Sequence, residues 1–334
     1  MKGKKIVSTL LALLLLASLP VSALAAEWDI GKGDITVNAG SGGQTVTQGS
    51  QVDVPDSAPV ITGSTTENTL TINAEKDQTA NVTLSGVNID VRDKGKAAVS
   101  TTGEGNVSIE LDGDNTLKSA TNHAGLEKNN GGSLTIADEN KNGKLTAKGG
   151  DYGAGIGGGW RGSGSDITIS GGEVNATGGV NGAGIGGGCY GYGNNITVSG
   201  DAKLKVQGGV EDNIDGAGAG IGNGGSSDER AIPVTGAEVE PDTSGLTTNG
   251  SIEYYAPGAD MEKDKPEKTT VGTLSPQEKP IEPIEPAVPE QPEAERGADA
   301  PLYRVTDRDG RDIACTAEQK GGVLTVTVDE DLPC

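Results

Sequence analysis

Tyr152 and Trp160 bracket the segment Gly153-Ala154-Gly155-Ile156-Gly157-Gly158-Gly159, and Tyr190 and Tyr192 follow its second copy, Gly182-Ala183-Gly184-Ile185-Gly186-Gly187-Gly188. Aromatic residues make up only 2% of the chain and phenylalanine is absent, so several rings in one place is a feature to explain. A flat exposed ring has an apolar face that suits the C–H face of a sugar. Arg161, Asp151 and Asn194 stand beside the rings as hydrogen-bonding groups. The candidate ligand-binding set is therefore Tyr152, Trp160, Arg161, Tyr190, Tyr192 and Asn194. The same rings would also shield glycine-rich backbone corners, and the residues alone leave both roles open.

Catalytic chemistry finds little to work with. His123 is the single histidine, which excludes a histidine-built zinc site or a Ser-His relay; it reads as a solvent-facing loop residue. A glycoside hydrolase needs two carboxylates at a fixed separation. Glu173 and Asp201 are the candidates, and the repeat places them at different corners. A lyase base is offered by Lys148 and Lys205, with Thr177 falling between them. No catalytic residue is assigned. Calcium has two candidate loops. Gly162 to Ile167 resembles a calcium-roll motif, but that roll repeats every nine residues and here occurs once. Asp307 to Asp312 resembles an EF-hand loop without its closing glutamate. Both read as turns, as do Asp112 and Asp114, so neither a metal nor another cofactor is assigned.

The elements that hold these residues repeat with them. A looser third copy is Gly218-Ala219-Gly220-Ile221-Gly222-Asn223-Gly224, and Ala124-Gly125-Leu126 is an echo. A spacing of roughly 30 residues marks a stacked repeat architecture. Between copies run two short alternating stretches, Asp166-Ile167-Thr168-Ile169 with Glu173-Val174-Asn175-Ala176, then Asn195-Ile196-Thr197-Val198 with Lys203-Leu204-Lys205-Val206. Apolar–polar alternation closed by glycine pairs is a strand pattern. Three short flat pieces per turn predict an all-β fold, a right-handed parallel β-helix whose coils stack at the strand spacing of about 4.8 Å. Three inward ladders follow: Leu134, Ile167 and Ile196; Leu145, Val174 and Leu204; and Leu126, Ile156, Ile185 and Ile221. Thr197 faces outward.

The chain opens like a secretory signal, residues 1–26, with Lys2, Lys4 and Lys5 before an apolar run and Ala23-Leu24-Ala25 as the cleavage site. That run is short for a membrane span and no second one follows, so the expected location is secreted or extracellular, at or near the cell surface. Residues 27–258 form the repeat domain, with 27–60 as an opening cap in which Trp28 covers the first coil. Residues 259–299 read as a Pro/Glu-rich linker, and 300–334 as a small, incomplete β module. Of the three cysteines, Cys189 takes the place of Trp160 in its repeat as a partly buried free thiol, while Cys315 and Cys334 are a candidate pair. A formal net charge of −22 argues against nucleic acid and anionic membranes as partners. A capped solenoid of this kind is expected to be monomeric.

The Gly-Ala-Gly-Ile-Gly-Gly-Gly units, alternating with Ile-Thr-Ile-Ser-Gly-Gly and Val-Asn-Ala-Thr-Gly-Gly, resemble those of secreted Gram-positive surface proteins described as carbohydrate-binding-domain or right-handed β-helix repeat proteins. The resemblance covers roughly residues 28 to 225. It implies a parallel β-helix similar in shape to pectin-lyase-like folds and an extracellular, glycan-facing role. Such folds host both enzymes and passive binders. The expectation is a secreted or cell-surface, non-catalytic, adhesive protein whose partner is a polysaccharide or a host or cell-wall glycan. The alternatives are a polysaccharide lyase or glycoside hydrolase of the same shape and a structural surface spacer.

Overall fold

The computed structural model describes residues 26–228 and 232–275, and the backbone of two further strands, Cys315–Lys320 and Val323–Val328. The chain divides into two units, Met1–Gln277 and Glu278–Cys334.

The first unit is a β-solenoid of about six turns. Each full coil lays one strand on each of three faces. The first face runs Glu27–Asp29, Val60–Thr62, Thr79–Ser85, Asn106–Asp112, Leu134–Ala137, Ile167–Ile169 and Ile196–Val198, all parallel. The second face runs Ile35–Gly40, Leu70–Ala74, Val99–Gly103, Leu126–Lys128, Ile156–Gly157, Ile185–Gly186 and Ile221–Gly222. The third face includes Asn88–Asp90, Asp114–Lys118, Lys144–Lys148, Glu173–Thr177 and Lys203–Gln207.

All three expected ladders form in the expected register. Leu134, Ile167 and Ile196 stack on the first face. Leu145, Val174 and Leu204 stack on the third. Leu126, Ile156, Ile185 and Ile221 stack on the second. These side chains are buried in one apolar column, because a period of two in each strand sends alternate residues inward. Thr197, between buried Ile196 and Val198, is half-buried on the outward side.

Glycine is required where the second face narrows to two residues. Gly157 and Gly186 adopt φ of 133° and 132°. A Cβ at Gly157 would lie 2.0 Å from the carbonyl oxygen of Gly186 on the next coil. Only a residue without a side chain permits that conformation and that approach.

The opening of the solenoid lies in the expected 27–60 stretch, and its first strand is Glu27–Asp29. Trp28 is part of the stack: it pairs with Ile61 and is buried, and its Nε1 donates to Asp56 Oδ2 at 2.9 Å. The second face is extended in antiparallel by Gly43–Gln48 and Gln51–Pro55. At the other end the body continues past residue 258. Ser251–Tyr255 joins the third face in parallel and Lys268–Val271 closes it in antiparallel, so residues 259–275, expected to open the linker, belong to the closing cap.

In the second unit, Cys315–Lys320 pairs antiparallel with Val323–Val328. The signal segment and the Cys315–Cys334 pairing lie outside the described residues, as do most of the linker, the Asp307–Asp312 loop and the strand expected at 302–306.

Candidate functional site

The aromatic residues sit where each coil turns outward on either side of the glycine-rich strand. Two corners are built from non-glycine residues in the left-handed region: Tyr152 and Asn181 at φ of 71° and 62°, and Arg161 and Tyr190 at 59° and 63°. Successive coils hold these corners by backbone hydrogen bonds. Arg161 N donates to Cys189 O at 2.8 Å, Trp160 N to Asn122 O at 2.9 Å and Cys189 N to Tyr152 O at 2.8 Å.

The register sets which side chains meet. Trp160 and Cys189 occupy equivalent places, as do Arg161 and Tyr190. The Arg161 guanidinium lies 4.7 Å from the Trp160 ring centroid and 5.6 Å from that of Tyr190. The expected bare strip of two rings is therefore a stack with a planar cation against both. Arginine favours aromatic faces because its charge is delocalised and weakly hydrated. Trp160 remains 49% exposed and Tyr190 38%, so the stack is open to a ligand from outside.

Tyr190 is fixed from its other end. Its hydroxyl donates to Asp215 Oδ1 at 2.6 Å and lies 2.6 Å from Ser227 Oγ. Asp215 is buried and also accepts from Cys189 Sγ at 3.6 Å, while Asn181 Nδ2 donates to the Asp215 carbonyl at 2.8 Å. These contacts come from the loop between Gly209 and Gly218, which makes the third copy longer than the first two. Cys189 is free and fully buried, deeper than the partial burial expected. Burial first, and the neighbouring Asp215 second, push its thiol up to about 12. It is a neutral hydrogen-bond donor rather than a nucleophile.

The other three expected site residues make no ring contact with the stack among the described residues, though Tyr152 lies close enough to Cys189 and Asp215 to feel both. Tyr152 is half-buried at its corner, its hydroxyl raised by burial and then by Asp212 and Asp151. Tyr192 and Asn194 follow on the stretch leading to the first face. Both are exposed, Tyr192 at 65%, and their carbonyls accept from Gly164 N at 2.9 Å and Asp166 N at 3.3 Å. Their side chains project from a rail of backbone bonds and serve as flanking groups.

A second concave region lies where the first face hands over to the third. It is a groove of about 820 Å³. It is lined by Gly171, Gly172 and Gly200 together with residues of the 138–144 and 245–249 stretches. Glu173 and Asp201 both line it, so the expectation that they occupy different corners is corrected. Each is matched to a lysine: Lys144 Nζ is 3.2 Å from Glu173 Oε2, and Lys141 Nζ is 2.8 Å from Asp201 Oδ2. Hydrogen bonds from Lys141 and Thr247 hold the Asp201 carboxyl below its ordinary value. A general acid needs the opposite shift, so Asp201 does not fit that role. The lysines are also reassigned. Lys148 stacks with Thr177 and Gln207, whereas Lys205 stacks with Asn175 and Thr146, and Lys205 Nζ pairs with Glu262 Oε1 at 2.8 Å.

His123 is not a free loop residue. Its Nδ1 is 2.9 Å from Glu127 Oε2, which also accepts from Ala124 N at 3.0 Å. The repeat pattern does not signal this contact, because Glu127 stands where later coils carry Gly157 and Gly186. At the calcium-roll-like turn, Asp166 and Asn195 occupy equivalent left-handed positions and the Asn195 side-chain amide donates to the Asp166 carboxylate. Among the described residues, no group of three or more His, Cys, Asp or Glu side chains is arranged to hold a metal ion, and no helix is long and apolar enough to cross a membrane.

Compared with protein-family models, curated proteins and solved structures, the chain gave no match.

Proposed function

We propose that this solenoid is a secreted or cell-surface, non-catalytic glycan-binding protein with an adhesive role. The observation that carries the reading is the stack of Trp160, Arg161 and Tyr190. A chain with 2% aromatic residues holds two of its rings half-open on one edge, with a guanidinium fixed against both. Such a stack joins apolar ring surface to planar hydrogen-bond donors, the combination that a sugar's C–H face and its hydroxyls require. It is also rigid before any ligand arrives, since Tyr190 is tied to Asp215. Pre-organised groups lose little freedom on binding.

The Gly-Ala-Gly-Ile-Gly-Gly-Gly resemblance to carbohydrate-binding-domain surface proteins, and the signal-like opening residues, point in the same direction. A polysaccharide or a host or cell-wall glycan is the proposed partner. A glycan array read beside a reducing-sugar release assay tests the proposal. Binding without release supports it, and release of sugar would replace it with an enzyme. Neither binding nor release would leave a structural spacer.

A further inference from the structure

The groove between the first and third faces lies at a different corner from the aromatic stack, and nothing in the reading above uses it. Its volume of about 820 Å³ is within the range of small-ligand sites, roughly 300 to 1,000 Å³. Lys141 reaches across to Asp201, two coils on, with Nζ 2.8 Å from Oδ2. Thr247 Oγ1 donates to Asp201 Oδ1 at 2.6 Å, tying the closing cap to the same carboxylate.

The chemistry of the lining narrows what fits. Asp138, Glu139, Glu173 and Asp201 face Lys141, Lys144 and Lys203. In a chain of net charge −22, this groove is close to neutral. An anionic chain gains no net attraction there, and a polycation would have to displace the lysines. On the third-face column, Lys144, Glu173 and Lys203 follow one another in register, so donor, acceptor and donor recur at about the 4.8 Å strand spacing. Among the described residues Lys203 has no ion-pair partner, and its three N–H donors are free for a ligand. A row of alternating donors and acceptors matches hydroxyl groups, each of which gives and takes a hydrogen bond.

We propose that this groove is a second ligand site, which takes a neutral polyhydroxylated chain, an uncharged oligosaccharide. Lys203 and Glu173 contact its hydroxyls, and the Lys141–Asp201 pair closes one side. A polymer long enough to reach both corners would be held by avidity, whereas a short oligomer in the groove does not touch the aromatic edge.

The test is titration calorimetry of the full-length protein with neutral oligomers of glucose, xylose and mannose, and with an acidic galacturonate oligomer. Lys203→Ala and Glu173→Gln alter exposed groups and are expected to leave the melting temperature near that of the parent. The expected result is that a neutral oligomer binds, that each variant weakens it about tenfold or more, equivalent to ~1.4 kcal/mol, and that Trp160→Ala leaves it unchanged. The proposal is overturned if no neutral oligomer binds, if only the acidic oligomer binds, if both groove variants bind like the parent, or if Trp160→Ala removes the same binding. The aromatic edge is judged on Trp160 alone, so the two readings fail separately.

Discussion

Arg161 and Tyr190 occupy the same left-handed corner on successive coils, and the guanidinium of the first lies 5.6 Å from the ring centroid of the second. A side chain is rarely tolerated at φ near 60°. Here two large ones are held there by coil-to-coil hydrogen bonds from their own backbone N–H groups, Arg161 N to Cys189 O and Tyr190 N to Gly225 O. The solenoid thus turns a strained position into a display site.

The inward ladder predicts an asymmetry between neighbouring faces. Ile185 is fully buried between Ile156 and Ile221, so Ile185→Asp should destabilise by several kcal/mol through a buried, unpaired charge. Thr168→Asp, on the outward side of the first face, should cost under ~1 kcal/mol. Urea denaturation of the two variants compares them, and equal losses would contradict the assignment of inward and outward positions.

Gly157 should not accept even alanine. The added methyl meets the Gly186 carbonyl at 2.0 Å in a backbone of φ 133°. Gly157→Ala is expected to lower the melting temperature sharply or prevent folding. Gly42, with open space around it, should accept alanine with a change under ~1 kcal/mol.

Acid stability should depend on Asp201. Its folded value is depressed by Lys141 and Thr247, so its contribution is fully present above the ordinary carboxylate value of about 3.9 and is lost as pH falls through the lower folded value. Asp201→Asn removes that contribution. The melting difference between parent and variant should be largest near neutral pH and shrink below about pH 4. A gap that widens on acidification would reverse the sign of the account.

Cys189 should be silent toward alkylating reagents. With its thiol pushed up to about 12 and its side chain buried, iodoacetamide at pH 8 should label it only after denaturation. Rapid labelling of the native protein, read by mass spectrometry of the Cys189 peptide, would show that the Asp215 loop does not cover it.

Much of the solenoid was legible because each ladder residue announces itself twice, by alternation within its strand and by recurrence in the next coil. Leu134, Ile167 and Ile196 needed no other information. The site was harder to read for the same geometric reason. Trp160 and Tyr190 are 30 positions apart, one more than the coil they share, and that single residue puts Arg161 rather than Trp160 beneath Tyr190. The Asp215 contact was hidden because extra residues in the third copy show that a loop exists, not where it folds. Lys148 and Lys205 share the same alternation phase, but the register sets them two residues apart. Glu173 and Asp201 meet because the same corner on successive coils opens onto one groove, a relation that strand patterns do not encode.

Trp160→Ala tests the central claim most directly, with glycan affinity and melting temperature measured on the same variant. Trp160 is half exposed and holds Arg161 only from one side. If the edge binds sugar, affinity for the array-identified glycan should fall about tenfold or more, ~1.4 kcal/mol, with the melting temperature nearly unchanged. A melting temperature that drops while affinity holds would show that the ring shields the glycine corner and that the edge recognises no glycan.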